Sequence, residues 1–443
     1  MSDTRFARQR ATERCGDGGD SSGLRVAVVG SGLAGLASAW LLGRQAHVTV
    51  YEAHPVPGMG AHSIRLGDGD GAPLVDVPLR VLTPAYYPTL LAIYRQAGVE
   101  VAPVDYAASF SRLRDATYFV YRNVHLGGRS LPWVTPSGFL RSAARGIARG
   151  VLRLHRRGPT DLREGRLAGR TLGAYLESEG YGTAFIEGFL LPAYASICTC
   201  STETVRDYPA ELIIDYFCSG VTTLGVMRAV GGSDDVVGRL LAPAAEVRTG
   251  TVVHRIEQDG HGVAVIDRAG GVARYDHVVL ATPADRGAEL LDGDDALRTV
   301  LSRVPHESSR VVVHRDARLA PRDRSSWRPV NFIVSDDHPA PMATIWLNRV
   351  QDGLEGGPDL FQTWNPVVTP DPSSVITETE VSRPVVTLAT QDVPERLAAL
   401  GDDAGRRIWA VGSYAETGIP LLEAAAASAM RVADQLTHRS RAG

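Results

Sequence analysis

Glycine stands at the first, third and sixth places of Gly30-Ser31-Gly32-Leu33-Ala34-Gly35, and a carboxylate, Glu52, follows twenty residues after Gly32. These residue types at this spacing carry the clearest chemistry in the chain. Gly30 allows a tight turn, Gly32 leaves room for a pyrophosphate against the backbone, and Gly35 lets a helix close onto a strand. A helix starting here offers free N–H groups and partial positive charge to phosphates. Glu52 is placed to accept hydrogen bonds from a ribose hydroxyl pair, with Ala53 beside it. The loop after it carries Gly58 and Gly60, which permit close backbone approach to the same ligand, followed by Ala61 and His62. The chemistry is adenine-dinucleotide binding, and the motif alone does not separate FAD from NAD.

The elements around the motif turn a weak pattern into a strong one. An apolar, β-branched run, Leu24–Val29, feeds the glycines; an Ala- and Leu-rich segment follows to Leu42, then a second strand, Val48–Tyr51. The 443 residues, 44% hydrophobic and 22% charged, fit a globular protein of one to three domains. A net charge of −4 gives no reason to expect nucleic acid as a partner. All 46 basic side chains are arginines, since the sequence contains no lysine. Cys15, Cys198, Cys200 and Cys218 form no C-x-x-C pair, so neither a metal site nor a disulfide framework is expected, and a reducing cytoplasm fits. Residues 1–23 read as a disordered polar arm without a secretory h-region. No apolar run reaches the roughly 18 residues needed to span a bilayer.

Further along, Pro73–Leu82 reads as a strand and Tyr86–Ala97 as a helix ended by Gly98. Short strands follow to residue 133, with a hairpin signal at Gly127-Gly128. From Ser137 to about Arg157, arginines recur every four residues (141, 145, 149, 153, 157) between apolar positions. They mark either a solvated face or one that docks on an anionic membrane surface or acidic carrier, and Gly146 and Gly150 weaken the helix. A helical lid is expected over about 137–220. Ser233 is an N-cap candidate for a helix over Asp234–Leu241. Residues 247–282 alternate strand and turn, residues 310–390 form a second β-rich region, and Arg407–Val411 is a buried strand before a long Ala-rich helix from Leu421.

That closing segment favours FAD. Gly412-Ser413 follows a strand, and Pro420 is preorganised for the first turn of the last helix. The helix N-terminus would stabilise charge on the N1–C2=O edge of a reduced flavin. With Gly30–Glu52, Gly58–Ile64, Phe189–Pro209, Val226–Leu240 and Ile408–Ala429 in view, the chain resembles the flavin-containing amine oxidase and phytoene desaturase superfamily. It is most similar there to a subgroup of FAD-binding oxidoreductases related to polyenoic fatty acid isomerase, from residue 24 onward. The resemblance implies an α/β fold: a glutathione-reductase-like FAD-binding Rossmann domain (24–105, 228–300 and 401–443) interleaved with an α+β substrate domain (106–227 and 301–400). It places Val253 beside adenine, Ala281 and Thr282 at the dinucleotide crossover, and Gly412, Ser413 and the Leu421 helix against ribityl and flavin. Gly58-Met59-Gly60, Asp76-Val77-Pro78 and Ile419-Pro420-Leu421-Leu422 replace polar stretches usual in the subgroup.

The expected activity is therefore an FAD-dependent oxidoreductase or isomerase acting on C–H bonds of a lipophilic polyene or fatty-acyl compound. An amine or amino-acid oxidase and a noncatalytic FAD-fold binding protein are the alternatives, the former lacking the lysine such oxidases commonly use. Tyr86, Tyr87, Tyr194, Trp364 and Tyr414 are candidates to line a substrate pocket, Arg80 to hold a carboxylate bidentately, and His62 and Glu416 to act as acid or base.

Overall fold

Strands buried on both faces build the central sheet. The computed structural model describes residues 23–67, 72–126, 129–136, 138–220 and 224–442; the N-terminal arm through residue 22 and the Gly127-Gly128 turn lie outside the described residues. Strand β1 (Arg25–Val29) pairs in parallel with β2 (His47–Tyr51), which pairs with β3 (Glu246–Arg248). On its other side β1 pairs with β4 (His277–Leu280), and β4 with β5 (Ile408–Ala410), all parallel. Val26, Val28, Val48 and Val50 face helix α1 (Leu33–Leu42) and the C-terminal helix (Leu422–Ala442). Ala27, Val29, Val278 and Leu280 face the opposite way, against a small sheet that includes Val253–Asp259, Gly262–Asp267 and Val272–Tyr275. A parallel sheet buried on both faces explains the near-continuous apolar runs.

A seven-stranded sheet forms the second layer. Its order is Val375–Pro384, His306–His314, Phe361–Trp364, Met342–Trp346, Val330–Val334, Ala108–Arg112, Thr117–Val120. Helices between Ser142 and Cys218 cap this domain. The strand expected over 73–82 runs only from Leu74 to Val77, where Pro78 has no N–H to continue a ladder. The helix ended by Gly98 spans Pro88–Ala97, and Gly98 takes the left-handed conformation at φ 73°. Ser233 is not an N-cap: the helix runs from Gly232 to Leu241, and the Asp76 carboxylate accepts the Ser233 N–H at 2.9 Å.

The arginine-rich helix extends from Ser142 to Arg163 and buries Ala144, Ile147, Gly150, Leu154, Gly158 and Asp161. Its glycines do not merely weaken it. A Cβ on Gly150 would enter the Phe185 ring, and one on Gly158 would lie 2.7 Å from Cys218 Sγ, so glycine is what seats the helix on its neighbours. Gly150→Ala should therefore cost about 1–3 kcal/mol by overpacking, lowering the thermal midpoint by several degrees. Gly238→Ala, on a helix face with nothing within 4 Å, should be neutral or stabilising by up to about 1 kcal/mol. Equal melting of the two variants would refute this packing account.

Candidate functional site: a cavity between the glycine turn and the second sheet

Each glycine of the turn does a different job. Gly30 has φ +105°, and a Cβ there would lie 2.7 Å from Ala281 O. A Cβ on Gly35 would collide with Gly30 O, so α1 could not close on β1. Gly32 is the contrast: its nearest neighbour would be Ala281 O at 4.0 Å. That open space at the N-terminus of α1 is a cradle that a side chain would fill and a phosphate can occupy.

Beneath the turn, Glu52 is buried at the end of β2. Its Oε2 accepts hydrogen bonds from Ser31 N at 3.0 Å and Ser31 Oγ at 2.5 Å, and its Oε1 accepts from His54 N at 2.8 Å. Gly58 N donates to Ser31 Oγ at 3.0 Å, tying the following loop to the turn. Thr251 N donates to Glu52 O at 2.9 Å, bringing the segment that leads into Val253 alongside the acid.

The facing wall is held as firmly. Gly412 N donates to Ser428 Oγ at 3.1 Å, and a Cβ on Gly412 would meet the Tyr414 ring at 2.5 Å. Ile419 N donates to Tyr86 Oη at 3.1 Å. The Glu423 carboxylate caps the helix Pro88–Ala97, accepting Thr89 N at 2.9 Å and Leu90 N at 3.0 Å. Pro420 and Leu421 are thereby fixed between two anchored points at the start of the C-terminal helix.

Between these walls runs a cavity of about 400 Å³. It begins at Gly32–Ala34, passes Met59, Gly60, Ala281 and Thr282, and reaches Gly412, Ser413, Pro420 and Leu421. It ends against the second sheet at Val330, Phe332, Ile345 and Trp364. Tyr87 and Tyr216 also line it; burial pushes both phenols well above their ordinary range, so they stay neutral.

Two arginines break this apolar lining. Arg80 donates through Nη2 to Gly60 O, and its Nε is buried with no hydrogen-bond partner among the described residues. Arg383 donates through Nη1 to Ile197 O at 3.3 Å, and its guanidinium lies 5.6 Å from the Trp364 ring centroid. Neither forms an ion pair within 4.0 Å among the described residues. Burial first, and then the Arg383 charge, hold Arg80 below the usual guanidinium range. Burial also lowers Arg383. Three more buried polar atoms of cavity-lining residues lack partners among the described residues: Thr83 Oγ1, Thr282 Oγ1 and His306 Nε2. A polar ligand fits such a lining, because unsatisfied buried groups cost about 1–3 kcal/mol each.

The cavity brings together Gly32, Leu33, Ala34, Gly60, Ala281, Thr282, Gly412, Ser413, Pro420 and Leu421 with Arg80, Tyr87, Trp364 and Tyr414. Gly30, Ser31, Gly35 and Glu52 shape the turn from behind, Ala53 is exposed beside Glu52, and Val253 lies buried in the adjoining small sheet. Five further residues do not line the cavity, Tyr86 among them: its hydroxyl accepts Ile419 N instead. Ala61 and the exposed His62 stand at and before the start of the strand His62–Arg65. Tyr194 packs its ring edge-on against Tyr216, at 5.9 Å between centroids. Glu416 is ion-paired with Arg431 at 3.3 Å and lines a separate depression. Neither His62 nor Glu416, the candidates for acid or base, lines this cavity. Arg383, His306, Tyr216 and Met59 are lining residues that the sequence reading missed. Arg383 and His306 lie on neighbouring strands whose pairing spans over seventy residues of chain, and nothing local in their sequence aims them at the cavity.

Residues 28–97 match the family described as the NAD(P)-binding Rossmann-like domain. No curated protein sequence matches the chain. Among solved structures, it is similar to a protein assigned as a protoporphyrinogen oxidase from Exiguobacterium sp. 255-15, at 16% identity over 94% of this chain and 99% of that one, TM-score 0.65. It is also similar to the CLA-producing fatty acid isomerase from P. acnes, at 14% identity over 94% and 98%, TM-score 0.64. A wild-type putrescine oxidase bound to putrescine gives 12% identity over 94% and 99%, TM-score 0.63. The chain has a Rossmann-like segment at residues 28–97 and shares its overall fold with these three proteins.

Proposed function

We propose that the chain is an FAD-dependent enzyme that desaturates or isomerises a lipophilic carboxylic acid. The observation that carries this reading is the Arg80–Arg383 pair: two largely enclosed guanidiniums, neither in an ion pair within 4.0 Å among the described residues, set in a mostly apolar cavity. FAD, when bound, supplies a hydride acceptor that can also return the hydride. Gly32 and the α1 N-terminus would hold its pyrophosphate, Glu52 its ribose, and Gly412 to Leu421 its flavin end.

The chain's own residues bind, orient and dehydrate the substrate. A carboxylate between Arg80 and Arg383 relieves the repulsion between them and forms charge-assisted hydrogen bonds. The hydrocarbon tail then lies along Phe332, Ile345 and Trp364, where water is excluded. His306 Nε2, buried in the wall without a partner among the described residues, is the group available to take or give a proton. An ammonium substrate is disfavoured by the same two arginines, which argues against an amine oxidase.

Anaerobic mixing of the flavin-loaded protein with linoleic acid tests the reading. Bleaching of the oxidised-flavin band at about 450 nm reports desaturation, and a shifted double bond without net bleaching reports isomerisation. A protein inert toward unsaturated acids while retaining flavin would refute the proposal in favour of a noncatalytic binding role.

A further inference from the structure

Exposed apolar side chains and arginines without ion-pair partners recur, among the described residues, along the segment from Arg122 to Arg156. In the hairpin of Arg122–Leu126 and Arg129–Trp133, Val124 stands opposite Leu131 and Arg122 opposite Trp133, so alternation puts all four on one side. Val124 is 46% exposed, Leu131 39% and Trp133 56%. The second strand leads into the short helix Gly138–Leu140, where Phe139 is 40% and Leu140 79% exposed. Arg145 donates to the carbonyls of Phe139 and Leu140 at 2.9 and 2.7 Å, fastening this knob to the helix Ser142–Arg163.

The outward stripe of that helix follows a period of 3.6, not four: Arg145, Arg149, Leu152 and Arg156 are exposed. Arg153 and Arg157 turn inward instead and reach Glu179 at 3.9 and 2.8 Å. Arg141, Arg145, Arg149 and Arg156 form no ion pair among the described residues. Exposed aromatic and aliphatic side chains flanked by unneutralised arginines are what an anionic bilayer surface attracts. The chain as a whole has a net charge of −4, so this cationic face is a local feature rather than a reflection of overall charge.

We infer that this face docks the protein peripherally on a membrane rich in anionic phospholipid. No helix among the described residues is long and apolar enough to cross a membrane, so attachment is interfacial. The same helical cap supplies Tyr216, Ser196 and Ile197 to the cavity wall, placing the docked face on the domain that would admit a lipophilic substrate.

Co-sedimentation of the full chain with vesicles tests the inference independently of activity. Binding is expected to phosphatidylcholine–phosphatidylglycerol vesicles and to be reversed by salt, with little binding to phosphatidylcholine alone. Since each arginine near such a surface contributes about fivefold, Arg149→Ala/Arg156→Ala should weaken partitioning roughly 25-fold. Trp133→Ser/Leu140→Ser should weaken it at all salt concentrations, with the thermal melt unchanged. Absence of wild-type binding to the anionic vesicles, or undiminished binding by both folded variants, would overturn the proposal. Self-association in solution in place of vesicle binding would overturn it equally.

Discussion

Gly32→Val should yield a folded chain that no longer retains flavin. The backbone at Gly32 has φ −61° and ψ 172°, open to any residue, and an added Cβ meets nothing closer than 4.0 Å. Folding should therefore change by no more than about 1 kcal/mol, the cost of a poorer N-cap residue. The isopropyl group instead fills the cradle where a pyrophosphate must approach the α1 N–H groups. Loss of even two such charge-assisted bonds, at roughly 1.5–3 kcal/mol each, lowers affinity by more than 100-fold. Gly35→Ala is the contrasting variant. Its Cβ collides with Gly30 O, so it should lose folded protein as well as flavin. Measuring flavin stoichiometry and the thermal melt of both variants separates the two roles. A Gly32→Val protein carrying its full flavin would refute the cradle.

Arg383→Met should lose activity on free acids by roughly 10- to 150-fold in kcat/KM, the value of one hydrogen bond to a charged group. Activity on the methyl ester should be unchanged or improved, since the ester has no charge for the guanidinium to meet. The variant's ligand-free stability should not fall. Arg383 has no ion-pair partner among the described residues, burial lowers it, and its charge in turn lowers Arg80; an apolar side chain of similar length removes a poorly compensated charge. Removing it should also return Arg80 toward its ordinary range. Equal losses on acid and ester would show that Arg383 shapes the wall rather than reading a carboxylate.

The dinucleotide turn was legible because its constraints are local. Gly30, Gly32 and Gly35 each answer to backbone within a few residues or to one neighbouring strand, and the run of apolar residues before them announces the strand. Gly412 and Pro420 were legible for the same reason. The substrate end was not. Arg383 and His306 meet the cavity through a sheet pairing of distant segments, and Tyr216 through the packing of the helical cap. Tyr194, two helices away, has the same type and an apolar context, yet packs against Tyr216 instead of the cavity. The arginines of the long helix show how a fraction of a residue in period matters: a repeat of four puts Arg153 and Arg157 on the outer face, whereas a helical period of 3.6 turns them to Glu179 and brings Leu152 and Arg156 outward. The glycines of that helix, read as weaknesses, are the positions where Phe185 and Cys218 pack closest.

If one cavity joins an FAD cleft to an acid-reading pocket, absorbance measures the first half most directly. Purified protein, before and after incubation with FAD and desalting, should show the oxidised-flavin band near about 450 nm at a stoichiometry approaching one per chain. A well-folded, colourless protein that takes up no FAD would contradict the account.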